Sequence, residues 1–147
     1  MKENETTTEL LSEIYRNVSM GSETLGNMIP KVSDKFLMRN ITGQMEQYSA
    51  FAEEASTMLK HRAVKPEPIS AMSKIMSRTG TALDTLFDSS ERHIARMIAE
   101  GTKKGADALE KTLCRLENMG AEAEAVSLAR NVVDFERTEE NKMKDFT

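Results

Sequence analysis

Polar side chains that could carry chemistry occur at positions where the helical pattern of this sequence requires burial. Gln44 and Tyr48 lie one turn apart in one amphipathic segment. His93 and Glu100 lie two turns apart in another. A buried polar group costs several kcal/mol unless it finds a hydrogen-bonding partner. We therefore expect these four side chains to form a hydrogen-bonded cluster between helices, with a bound metal ion as the alternative.

Three glycines follow the same inward-facing pattern. Gly21 lies on the apolar stripe of the first amphipathic segment, and Gly101 and Gly105 lie one turn apart in a later one. Glycine destabilises a helix interior by about 1 kcal/mol relative to alanine. The three glycines therefore predict close helix packing at these positions, or room for a bound molecule.

No motif in the sequence names a reaction. Cys114 is the single cysteine, and no serine or cysteine has the accompanying base and orienting group that activate a nucleophile. No glycine-rich phosphate-binding loop is present. We expect Cys114 to be a small buried apolar residue, and we favour a protein that is not an enzyme.

The elements that carry these residues are predicted to be helices. Apolar residues recur at spacings of three and four, and the chain has only three prolines. Thr6 with Glu9, and Asp88 with Glu91, match the capping-box pattern of a helix start. Pro30 and Gly120 match helix ends. The pattern predicts four long helices and a shorter one, over residues 6–29, 34–62, 69–87, 89–119 and 121–146.

Long helices of similar length joined by short links are typical of an antiparallel four-helix bundle. The capping pattern at Asp88 is the reason for dividing the proline-free stretch 69–119 into two helices, of which the first would be the extra one. A chain of 147 residues is long enough to bury a core as one domain, residues 1–147. We therefore expect a single all-α domain.

Composition excludes several classes of protein. The formal net charge is −4 and no run of Lys or Arg exceeds two residues, which argues against nucleic-acid binding. No apolar run approaches the ~20 residues that cross a bilayer. The initial MKENETTTE lacks the apolar stretch of a signal peptide, and a lone cysteine forms no internal disulfide. We expect a cytoplasmic protein without a membrane span, with a homo-oligomer as a possible assembly.

Two segments carry a resemblance to a known family. ERHIARMIAEG at 91–101 and VVDFERTEE at 132–140, together with the number and lengths of the helices, resemble the small bacterial ferritin-like four-helix-bundle proteins, including coat-type bundles of spore-forming bacteria. The resemblance extends over residues 6–146 and implies a ferritin-like fold.

The same resemblance implies a candidate metal site. Di-iron members of the ferritin-like class bind metal through two Glu residues and two Glu-x-x-His pairs. This sequence contains no Glu-x-x-His, so the implied site for iron or another divalent metal is incomplete. Its candidate ligands are Glu13, His93, Glu100 and Glu136.

Three functions follow from these observations. We favour a non-enzymatic structural or interaction protein that self-associates and needs no cofactor. One alternative is a metal-binding ferritin-like protein that handles iron or oxidants. The other is a binder of a small apolar ligand in the bundle core, since the eleven methionines and the core glycines would give an adaptable interior.

Overall fold

Helices make up nearly all of the structure. A computed structural model describes residues 2–66 and 90–146, and no strand occurs in these two ranges. The predicted helix 69–87 and the capping residue Asp88 lie outside them. The helices are α1 (Lys2–Met28), α2 (Lys35–His61), α3 (Glu91–Asn118) and α4 (Ala123–Lys144), with a 3-10 turn at Ile29–Lys31.

The four helices pack against each other around one apolar core. Helix α1 packs along α2, α3 packs along α4, and α1 also contacts both α3 and α4. The prediction of an all-helical protein with four long helices in contact is confirmed. None of these helices, as far as the described ranges extend, combines the length and apolar composition of a membrane span. The core includes Leu10, Ile14, Leu37, Ile41, Ile94, Leu116 and Leu128.

The start of α1 differs from the prediction. The helix begins at Lys2, and Thr6 and Thr7 are both buried inside it. The hydroxyl of Thr7 accepts a hydrogen bond from the backbone N–H of Glu122, at 2.9 Å, just before α4 begins. The capping-box prediction for Thr6 is therefore wrong. A threonine whose hydroxyl bonds a distant backbone group can have the same neighbours in sequence as a threonine that caps its own helix. The local sequence therefore does not distinguish the two roles.

Side chains cap the starts of both α2 and α3, and the N-cap of α3 is Ser90 rather than the predicted Asp88. The Asp34 carboxylate accepts a hydrogen bond from the N–H of Leu37 at 2.8 Å. The Ser90 hydroxyl accepts one from the N–H of His93 at 3.2 Å, and the ψ of 150° at Ser90 is extended. Helix α3 therefore begins at Glu91, two residues later than predicted.

Two helix ends share one backbone motif. Gly120 has a φ of 97°, and the N–H groups of Gly120 and Ala121 donate to carbonyls in the last turn of α3. Ala63 has a φ of 60°, and the N–H groups of Ala63 and Val64 do the same for α2. Both ends are Schellman motifs. Glycine suits the left-handed position, whereas the Cβ of alanine is disfavoured there.

Candidate functional site

A buried tyrosine–glutamate pair links α2 to α4 in the bundle interior. The Tyr48 hydroxyl donates a hydrogen bond to Oε2 of Glu136 at 2.9 Å, and both side chains are only 2% exposed. Burial raises the pKa of Glu136 to about 7, against the lowering effect of hydrogen bonds from Tyr48 and Asn17. Burial, and then the Glu136 carboxylate, raise the pKa of Tyr48. The phenol therefore remains a hydrogen-bond donor at neutral pH.

Packing fixes the tyrosine ring in one orientation. The ring of Phe135 meets the Tyr48 ring edge-on, with centroids 5.2 Å apart and an angle of 87° between the planes. On α1, a Cβ placed at Gly21 would lie 2.7 Å from Cζ of Tyr48. That separation is too short for a real contact, so Gly21 leaves the space that the ring occupies.

A second glycine leaves space for the carboxylate. A Cβ at Gly105 would lie 3.2 Å from Oε2 of Glu136 and 3.4 Å from Nδ2 of Asn17. The Asn17 amide donates to the carbonyl of Gly105 at 3.0 Å and also hydrogen-bonds Glu136. Each of the four helices thus supplies one residue to a polar layer, which we define as Asn17, Tyr48, Gly105 and Glu136.

The polar layer lines a cavity of about 540 Å³ between α1 and α3. This volume falls within the ~300–1,000 Å³ typical of small-molecule sites. Among the residues that line it, Tyr48 and Glu136 are almost fully buried, whereas Arg16 on α1 and Glu100 and Lys104 on α3 are exposed to solvent. Its apolar walls include Met20, Leu25 and Met28 from α1 and Met97, Ile98 and Leu109 from α3.

Comparison with known proteins adds no relative. No protein-family model, curated protein or solved structure matches this chain. The chemistry of the site therefore rests on the geometry of its own residues.

The candidate metal ligands are not assembled into a site. Glu13, Glu100 and Glu136 line the cavity, whereas His93 is half-buried in the first turn of α3, outside the cavity lining. Glu13 forms an ion pair with Arg16 at 2.5 Å. Across residues 2–66 and 90–146, no group of three or more His, Cys, Asp or Glu side chains is placed to hold a metal ion. The metal-ligand prediction is therefore not supported by the described residues.

The predicted polar cluster is only partly correct. Gln44 and Tyr48 are buried as expected, but Glu100 is exposed, and the partner of Tyr48 is Glu136. Gln44 instead donates to Oδ1 of Asn40 on its own helix, at 3.2 Å. Glu136 follows Ala129 and Val132 at helical spacing, which indicates an inward position, but this spacing does not show which helix supplies its partner.

Asn17 was missed because nothing in its type or spacing marks it as part of a polar layer between helices. The only available signal was its position one turn before Gly21. The prediction for Cys114 is wrong, since that side chain is exposed on α3.

Gly101 does not make the predicted close contact. Apart from the neighbouring backbone of α3 itself, no atom of the described residues lies within 4 Å of a Cβ placed there, and the residue is exposed at the cavity lining. Gly101 therefore leaves open space, whereas Gly21 and Gly105 lie against side chains of other helices.

Proposed function

We propose that this protein is a non-enzymatic helical bundle that binds a small, largely apolar molecule in the cavity between α1 and α3. The observation that carries the proposal is the cavity of about 540 Å³ with methionine, leucine and isoleucine walls, which the buried Tyr48–Glu136 pair also lines. An apolar space with a few polar groups in its lining is typical of sites that bind small molecules.

The energetics of the bundle also favour an occupant. The methionine, leucine and isoleucine side chains along the cavity present apolar surface to water, and an apolar molecule bound there would remove this surface from water. It would also make contacts along the methionine-rich walls. Methionine suits this role because its flexible thioether adapts to different shapes.

The polar layer favours binding over catalysis. The Tyr48 phenol donates to Glu136 and has a raised pKa, so it does not act as a nucleophile at neutral pH. Cys114, the only thiol, is outside the cavity lining. The cavity, as far as the described residues line it, therefore offers neither an ionised phenol nor a thiol as a nucleophile.

Binding of a neutral apolar probe tests the proposal. We expect hexan-1-ol to bind saturably to the parent protein in isothermal titration calorimetry. Gly101→Leu places a side chain in the open space at the cavity lining and should weaken binding about ten-fold or more. Gly43→Leu is the matched control, because Gly43 also has no neighbour within 4 Å among the described residues but lies outside the cavity, on α2.

Two outcomes would contradict this proposal. One is that the parent protein shows no saturable binding of hexan-1-ol. The other is that both leucine variants bind the probe as strongly as the parent, since the probe would then occupy a different place.

The broader sequence-based expectations stay proposals beside this one. They are a ferritin-like antiparallel arrangement, a cytoplasmic location, no binding of nucleic acid, and self-association. Sedimentation velocity over a hundred-fold range of concentration tests self-association, which predicts a sedimentation coefficient that rises with concentration.

A further inference from the structure

We propose that the cavity between α1 and α3 binds a single unbranched hydrocarbon chain, which lies extended along the two helices with its polar end beside Glu13 and Arg16. This inference rests on the proposed function, because it names the class of ligand for the same site. It follows from the length, the width and the polarity of the cavity.

The cavity is long and continuous. Its lining on α1 begins at Glu13 and ends at Met28, and its lining on α3 begins at Met97 and ends at Thr112. Each stretch advances fifteen positions, which at about 1.5 Å per residue covers about 22 Å. The lining residues recur in every turn of both stretches. They therefore enclose one groove rather than two separate hollows.

Contacts beyond both ends of the groove hold the two helices side by side. The Arg115 guanidinium pairs with the Glu9 carboxylate at 2.6 Å, and the Ser33 hydroxyl donates to Glu91 at 3.0 Å. Glu9 precedes the lining stretch of α1, and Glu91 precedes that of α3. The two stretches therefore line the same length of the bundle from opposite sides.

The width of the groove fits one chain. A volume of about 540 Å³ spread over about 22 Å gives a mean cross-section of about 24 Å². Because non-bonded carbon atoms pack about 4 Å apart, one extended alkyl chain fills roughly 20 Å², and a second chain or a fused ring system needs roughly twice that area. The groove therefore favours a long, thin molecule.

The two ends of the groove differ in polarity. At one end, the Glu13 carboxylate and the Arg16 guanidinium lie 2.5 Å apart. Because these opposite charges already neutralise each other, a polar head group there needs no charge of its own. A hydrocarbon tail is removed from water at the other end. Four large apolar side chains line that end: Leu25, Met28, Met97 and Ile98.

A second hollow suits a hydrocarbon chain less well. It has a volume of about 990 Å³ and lies between α2 and the first turns of α1 and α4. Leu11 and Met58 are the only large apolar side chains among the described residues that line it. The same lining contains five ionisable side chains: Glu53, Glu54, His61, Arg62 and Glu124. A hydrocarbon chain would therefore cover less apolar surface there than in the groove.

A series of straight-chain alcohols with six, eight, ten and twelve carbons tests the inference by equilibrium dialysis. Full burial of one CH₂ group strengthens binding about four-fold, so each added pair of carbons should strengthen binding to the parent about five-fold or more. Since each bond of an extended chain advances about 1.2 Å, dodecan-1-ol is about 14 Å long and still fits within the groove. We therefore expect no levelling-off before twelve carbons.

Ala108→Phe shortens the groove and separates a specific fit from general hydrophobic binding. Ala108 is exposed on α3 and lines the half of the groove that ends at Thr112. A helical side chain covers the turn before its own Cα, so the ring leaves about 10 Å of groove beyond Met97. Dodecan-1-ol should bind about ten-fold or more weakly to this variant, whereas hexan-1-ol, about 7 Å long, should stay within about two-fold of the parent.

Ala50→Phe is the matched control. Ala50 is likewise exposed, but it lies on α2 and lines the second hollow instead of the groove. This variant should bind both alcohols as the parent does.

The outcomes distinguish this inference from the proposed function. If dodecan-1-ol binds the parent no more tightly than octan-1-ol, or if Ala108→Phe affects both alcohols equally, the occupant is not an extended chain, and the apolar site stands. If Ala50→Phe weakens dodecan-1-ol and Ala108→Phe does not, the chain lies in the second hollow and the inference is wrong. If none of the alcohols binds, the proposed function fails and the inference fails with it.

Discussion

Gly101 and Gly105 lie one turn apart on α3, yet their surroundings are opposite. At Gly105, side chains from α1 and α4 lie within 3.4 Å of a hypothetical Cβ. At Gly101, no described atom outside the neighbouring backbone of α3 lies within 4 Å of one. The same residue type in the same helix therefore leaves room for a buried carboxylate at one turn and borders an open cavity at the next. A glycine in a helix indicates missing volume, but it does not indicate what fills that volume.

The largest expected effect concerns the carboxylate that fills the space beside Gly105. Burial raises the pKa of Glu136 from 4.5 to about 7, so the folded protein binds this proton more tightly than the unfolded chain. The stabilisation from this proton is fully present below pH 4.5 and is lost as the pH rises through 7. At about 1.4 kcal/mol per pKa unit, the loss is about 3 kcal/mol.

Glu136→Gln should remove this dependence on pH. We expect its free energy of unfolding in urea to exceed that of the parent at pH 8 by up to about 3 kcal/mol, and the difference to disappear near pH 4.5. Glu46→Gln, on the exposed face of α2, controls for the loss of one negative charge. A difference between Glu136→Gln and parent that stays constant from pH 4.5 to pH 8 would contradict the raised pKa.

The next effect concerns the glycine that the tyrosine ring covers. A Cβ at Gly21 would lie 2.7 Å from Cζ of Tyr48, and the ring is held by Glu136 and Phe135. Gly21→Ala should therefore lower the free energy of unfolding by about 2 kcal/mol, despite the better helix propensity of alanine. Urea denaturation measures this change.

Gly26 supplies the control for this substitution within α1. A Cβ there would meet Cε of Met45 at 3.6 Å, which is an ordinary contact. Gly26→Ala should therefore stabilise the protein by up to about 1 kcal/mol. Equal effects of the two substitutions would show that the Tyr48 ring does not occupy the space at Gly21.

Alanine substitutions at Gly101 and Gly105 test the difference between the surroundings of these two glycines. Gly101→Ala should raise the free energy of unfolding by up to about 1 kcal/mol, because helix propensity improves and nothing in the described structure is displaced. Gly105→Ala should be less stable than Gly101→Ala by about 1 kcal/mol or more, since Glu136 or Asn17 must shift. If both substitutions stabilise equally, the polar layer does not reach Gly105.

Local patterns predicted the helices well and the contacts between them poorly. The 3–4 spacing of apolar residues and the glycine at position 120 each depend on residues close in sequence, so the sequence alone reveals them. The partner of Tyr48 is 88 residues away, and which inward side chain it meets depends on how far each helix is rotated and shifted along its axis. If α3 is shifted by one turn along its axis, another residue takes the place that was predicted for Glu100 beside Tyr48. The periodic pattern is the same before and after such a shift, so it does not exclude it.

The smallest expected effect compares two positions that share a backbone conformation. Ala63 and Gly120 both occupy the left-handed position that ends a helix, with φ values of 60° and 97°. Alanine is disfavoured there by roughly 1–2 kcal/mol, but glycine loses more conformational freedom on folding, which offsets part of the gain.

Ala63→Gly should therefore raise the free energy of unfolding by about 0.5 kcal/mol, and Gly120→Ala should lower it by about 1 kcal/mol. Urea denaturation of both variants beside the parent measures the two signs. An Ala63→Gly variant less stable than the parent would mean that the end of α2 does not hold the left-handed conformation in solution. The two helix ends would then differ in backbone as well as in residue type.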